Sequence, residues 1–134
     1  MRQIGHFKSF GVVVGGAFLL LAGLMLSATA HAGNQISFSK DVKPILKNNC
    51  VECHRPGGQG YLANGLDLTT YEGIMKGTRI GPVVVPGDVF TSNLLRAVFG
   101  QVQSSIRMPF HRTELPDQAT IILLRWIYQG AKNN

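Results

Sequence analysis

Apolar residues along this chain fall into amphipathic stretches separated by long polar, glycine-rich connections. In "ISFSKDVKPILKNNCVECH", Phe38, Val42, Ile45 and Leu46 have the spacing of one helical face. Ser39 or Asp41 is suited to cap that helix. Pro44 must sit within its first turn or so, because deeper it would remove a helical hydrogen bond. The pattern predicts a helix that starts near Asp41 and runs into residues 50–54. "RPGGQGYLANG" has no period and many glycines, which predicts a loop. "TTYEGIMKG" predicts a short helix, with Thr69 and Glu72 as a capping box and Gly77 at the C-terminal cap. "GPVVVPGD" reads as an extended stretch ending in a Pro-Gly turn. "DVFTSNLLRAVFG" predicts a helix capped by Asp88 and stopped at Gly100, with Phe90, Leu94, Leu95 and Val98 on one face. "QVQSSIRMPFHRTE" reads as a loop. "LPDQATIILLRWIYQG" is the strongest helix signal, with Pro116 at the first position, Asp117 against the dipole and Gly130 after the last turn. Ala119, Ile122, Leu123, Trp126 and Ile127 line its predicted buried face. The expected fold class is all-α: four short helices joined by long loops. Loops this long in a small domain are uncommon unless something holds them, which points to a cofactor within the core.

One apolar run lies outside this pattern. Arg2 and Lys8 precede "GVVVGGAFLLLAGLML", and "SATAHAG" follows. A positive start, an apolar run and A-x-A triplets form a secretory signal. Cleavage after Ala32 divides the chain into a signal peptide, residues 1–32, and one mature domain, residues 33–134. The alternative is an uncleaved membrane tether, although the run is short against the roughly 20 apolar residues of a span. The expected location is the periplasm. The chain carries a formal charge of +6, part of which leaves with Arg2 and Lys8. The remaining lysines and arginines are scattered, which argues against nucleic acid and allows docking to an acidic protein patch.

Both cysteines lie in "NNCVECHRPG", and a histidine follows the second. Positions 50, 53 and 54 share one helical face. Cys50-x-x-Cys53-His54 is the attachment pattern of c-type haem: two thiols form thioethers with the vinyl groups, and the imidazole ligates iron from below. An export signal agrees with this, since haem is attached to c-type cytochromes outside the cytoplasm. A disulfide or redox pair is a second reading, but a thioredoxin-like motif should follow a strand, and His54 would be left without a role. A structural zinc site needs four ligands, and adjacent Cys53 and His54 make poor joint ligands.

Haem iron held by histidine takes a second axial ligand unless the site is open. Met108 is the candidate, set in a loop before Pro109, which biases it toward an extended backbone. Its thioether would favour ferrous iron and raise the potential. Ile106 and Phe110 are placed to shield the iron edge. His111 is the rival, and an open or exchangeable position is a third possibility. Met75 reads as core packing.

Taken in order, these segments resemble the small planctomycete-type domains among class I c-type cytochromes. "FSKDVKPILKNNCVECH", "GLDLTTYEGIMKG", "VVPGDVFTSNLL", "RMPF" and "LLRWIYQGA" carry the resemblance across nearly all of residues 36–131. Two positions depart from it: Phe110 stands where a second proline is usual, and Leu115 where a polar cap is common. The resemblance implies first and last helices that cross near Trp126. It also implies one covalent haem c on Cys50 and Cys53, and iron ligated by His54 and Met108. The implied activity is single-electron transfer between redox partner proteins, with the iron cycling between ferric and ferrous. Two alternatives remain: a haem subunit docked in a larger oxidoreductase, and a peroxidase-like enzyme or sensor with a labile sixth ligand.

Overall fold

Phe38, Val42 and Leu46 share a face and are all buried. In the computed structural model, which describes residues 34–134, they begin in a π-helical turn, Phe38–Val42. That turn runs directly into α1, Lys43–Asn49. The expected signal peptide and its cleavage site lie outside the described residues. The wider turn stands immediately before Pro44, whose missing N–H and ring bulk disfavour a regular helical ladder there. The cap is Ser37 rather than Ser39 or Asp41: its hydroxyl accepts from the Lys40 N–H at 3.3 Å. Asp41 acts reciprocally, its carboxylate accepting from the Ser37 N–H at 2.7 Å.

Among the described residues the remaining helices are α2 (Gln59–Asn64), α3 (Tyr71–Lys76), α4 (Asn93–Val98) and α5 (Asp117–Tyr128), with a 3-10 turn at Ser104–Ile106. There is no strand among them, only isolated bridges between Thr78 and Gly81 and between Val85 and Asp88. The described residues are all-α, as the pattern predicts.

Other details also differ from the sequence expectation. "RPGGQGYLANG" contains helix α2, which buries none of its own side chains and so leaves no apolar period to read. The helix in "DVFTSNLLRAVFG" is shorter than expected. Asp88 instead closes a tight turn, accepting from the N–H groups of Phe90 at 2.9 Å and Thr91 at 3.1 Å. Phe90 consequently lies outside α4 and is 87 % exposed, while Leu94 and Leu95 are buried. Finally, α3 starts one residue late, with Thr70 accepting from the Gly73 N–H at 3.0 Å. Thr69 is already engaged by Asp67, whose carboxylate accepts its hydroxyl at 2.6 Å.

The core is organised around Trp126 of α5. Its ring lies 5.6 Å from Phe38 and 6.5 Å from Tyr71, and Phe38 and Tyr71 meet edge-on at 5.3 Å. The polar tips of this triangle are satisfied: Trp126 Nε1 donates to the Lys132 carbonyl at 3.0 Å, and the Tyr71 hydroxyl to the Ala131 carbonyl at 2.9 Å. The start of the first helix is thereby locked to the last. Asn134 reinforces the junction, its backbone oxygen accepting from the Ser39 N–H at 2.9 Å and its side chain from the Phe38 N–H at 2.9 Å. Thr120, Leu123 and Ile127 complete the buried face of α5, with Ala119 and Ile122 packed at its margin. Pro116 precedes α5 as its cap, one place earlier than expected, and Leu115 is buried beneath it. The N-terminal half of the domain thus hangs from a fixed base, and α1 delivers residues 50–54 at its far end.

Candidate functional site

Helix α1 ends where the cysteines begin. Cys50 is its C-cap, and its carbonyl accepts from the N–H groups of Cys53 at 3.2 Å and His54 at 3.0 Å. The five residues therefore form a single helical turn beyond α1 rather than a continuation of it. That turn carries both thiols and the imidazole. Cys50 is half-buried and Cys53 exposed. Burial, then the adjacent Cys53, pushes the Cys50 thiol up to about 11.

His54 is 6 % exposed. Burial holds its pKa below the usual histidine range, against a smaller opposing pull from the Leu66 backbone. The ring is neutral at physiological pH and keeps a lone pair for a metal. Its Nδ1 is buried and meets no hydrogen-bond partner of acceptable geometry. The turn itself is well anchored: the His54 carbonyl accepts from the Leu68 N–H at 2.8 Å, and the Cys53 carbonyl from the Tyr61 N–H at 3.0 Å. Gly60 of α2 lies so close that a Cβ there would stand 2.7 Å from His54 Cε1.

Met108 is half-buried in the loop between α4 and α5, and its N–H donates to the Ala97 carbonyl at 3.1 Å. Two ion pairs shape this loop. Arg107 pairs with Glu114 across it, and Arg112 Nη2 reaches Glu52 Oε2 at 2.6 Å, inside the cysteine window. The Arg112 guanidinium holds the Glu52 carboxyl below the usual carboxylate range, first through the hydrogen bond and then through its charge. Sequence reading did not find this pair, since two exposed charges far apart in sequence leave no periodic mark. An open hollow of about 560 Å³ lies between Asn49, beside Cys50, and Pro109, His111, Arg112 and Thr113. Its size falls within the roughly 300–1,000 Å³ of small-molecule and cofactor sites. His111 is exposed and stacks edge-on against Phe110 at 4.0 Å. Ile106 and Phe110 are about half exposed, at 54 % and 51 %. Met75 packs against the core, in keeping with its expected role.

These features fit a haem. Two thiols and a buried imidazole share one turn, and the loop that carries Met108 meets that turn through Arg112 and Glu52. Such an arrangement defines the c-type cytochromes as a class. Residues 50–109 match the family model described as Planctomycete cytochrome C. Over this stretch the chain is similar to planctomycete-type cytochrome c domains, and the matched segment spans Cys50, Cys53, His54 and Met108 together. No curated protein and no solved structure gives a significant match. Among the described residues, no helix is long and apolar enough to cross a membrane.

Proposed function

We propose that this protein is an exported mono-haem cytochrome that passes single electrons between protein partners. The observation that supports the reading most directly is the turn at residues 50–54, which presents both thiols and a desolvated, neutral histidine inside the family-matched segment. Haem c supplies reversible one-electron chemistry when bound.

The chain's own residues do the rest. Cys50 and Cys53 would hold the group covalently, and His54 and Met108 would supply a nitrogen and a sulfur donor to its iron. The Trp126 base keeps α1 fixed, so the proximal histidine is held by a rigid element. The Arg112–Glu52 pair draws the Met108 loop toward the window. Partly exposed Ile106 and Phe110 flank that loop and limit water without closing the edge through which a partner is met. Residues 1–32 act as the export signal, and residues 33–134 form the mature domain in the periplasm. Docking to acidic partners is weak and salt-sensitive, as expected for scattered positive charge.

Potentiometric titration of the purified protein tests the electron-carrier reading. A single reversible one-electron wave, with no turnover of peroxide, is the expected result. A labile sixth position with fast peroxide turnover would replace this reading with the enzymatic one.

A second reading, a haem subunit docked permanently in a larger oxidoreductase, draws on the exposure of Ile80 at 97 % and Phe90 at 87 %. Size measurement on native extract separates the two: a free monomer supports the carrier, a stable large complex the subunit.

A further inference from the structure

Helix α2 lacks the usual reason for a helix to form. It has 6 residues, none buried, and Leu62 is 62 % exposed. A helix this short does not persist on intrinsic propensity. Its ties are polar and run to two places. At one end, the Tyr61 N–H donates to the Cys53 carbonyl at 3.0 Å. At the other, Arg79 donates from Nη1 to the Ala63 carbonyl at 3.1 Å and from Nη2 to the Leu62 carbonyl at 3.0 Å. The Arg79 N–H also donates to the Asn64 carbonyl at 2.9 Å. These are last-turn carbonyls, which have no partner within a helix. Gly65, at φ 82°, ends the helix in the left-handed region, where a side chain would be strained.

Gly60 sits between these anchors, against His54. A Cβ at position 60 would lie 2.7 Å from Cε1 and 2.9 Å from both ring nitrogens. Any side chain there would displace the ring or lift the helix. The ring meanwhile has no hydrogen bond at Nδ1 to fix its rotation. The Leu66 backbone also acts on the ring, so contact with α2 is one of two restraints on its rotation.

We propose that α2 is a clamp that sets the rotation of the His54 imidazole, with Gly60 as the touching surface and Arg79 as its remote anchor. The proposal rests on the reading of His54 as an axial haem ligand. Groups that orient a metal's ligand tune that metal without touching it. Arg79 is in this sense a positioning residue, acting through three carbonyls of α2. This also explains why a helix with no buried face is present: its task is contact with one ring, not burial of apolar surface.

The test uses the full-length holoprotein. The pyridine haemochrome spectrum of the wild type comes first; absence of covalent haem overturns the axial-ligand reading and the clamp with it. With haem present, Gly60→Ala is expected to shift both the low-spin ferric g-values and the reduction potential while haem content per chain is retained. Arg79→Met is expected to move the same signals in the same direction by less, and Arg79→Lys to restore part of the shift. Gly87→Ala serves as the control. It incurs a backbone penalty at φ 83° that helical Gly60 does not, with nothing within 4 Å of the added methyl, so it should lower stability and leave the signals alone. Wild-type g-values and potential in both Gly60→Ala and Arg79→Met overturn the clamp while leaving the ligand reading standing. Equal shifts in Gly87→Ala overturn it too, since general loosening would then account for them. Should Gly60→Ala fail to fold, Arg79→Met decides alone, and an unchanged spectrum there overturns the proposal.

Discussion

His54 is buried and its Nδ1 meets no hydrogen-bond partner of acceptable geometry, which is costly for a histidine that merely fills space. A metal at Nε2 would give the burial a purpose. Met108 is its proposed counterpart on the loop that Arg112 ties to Glu52. Met108→Ala should abolish the weak long-wavelength sulfur-to-iron absorption and lower the reduction potential, whereas His111→Ala should change neither. The optical spectrum and a redox titration check both, and the opposite pattern would move the ligand to the exposed histidine. A separate expectation concerns Asp88. The Thr91 hydroxyl first, then the Thr91 and Phe90 N–H groups, hold its carboxyl below 3.8. A carboxyl depressed on folding stabilises the native state above its unfolded pKa, and that contribution is lost as pH falls through the folded value. The gap in melting temperature between wild type and Asp88→Ala should therefore be constant near neutral pH and close below about pH 4. A gap independent of pH would show that the turn does not depend on the ionised carboxylate.

At the level of elements, Trp126 is the largest side chain that folding buries completely, and it joins the first helix to the last through Phe38 and Tyr71. Trp126→Ala should cost about 3–5 kcal/mol, read from denaturant unfolding of the holoprotein; a cost under about 1 kcal/mol, the level of a surface substitution, would contradict this central position. The elements that bury an apolar stripe were legible from sequence. Phe38, Val42 and Leu46, and then Leu123, Trp126 and Ile127, repeat at helical spacing and are buried as that spacing predicts. Helix α2 was not legible, because polar ties from Arg79 and a glycine contact hold it, and neither leaves a period. The length of α4 was misjudged for a related reason. Asp88 is an equally good residue for a helix cap and for a tight turn, and its bonds to Phe90 and Thr91 selected the turn. Cap positions moved by one or two residues where a neighbouring hydroxyl was already engaged, as with Thr69 on Asp67.

For the molecule as a whole, the all-α class was readable because local spacing carries it. The contact of Arg112 with Glu52 was not readable, because sequence separation hides such a pair. Export is the remaining whole-molecule expectation: intact mass of the protein recovered from periplasm should correspond to a chain starting at Gly33 with one haem added. A mass retaining residues 1–32 would instead make this a tethered cytochrome.

The claim beneath all others is that carbon–sulfur bonds fasten one porphyrin to this short chain. Acid-acetone extraction of protein matured in a competent host, followed by the pyridine haemochrome spectrum of the pellet, tests it most directly. The account predicts that colour stays with the polypeptide, with a c-type band, and disappears in the Cys50→Ala, Cys53→Ala double variant. Colour that passes wholly into the acetone, or protein that emerges colourless from such a host, would contradict it.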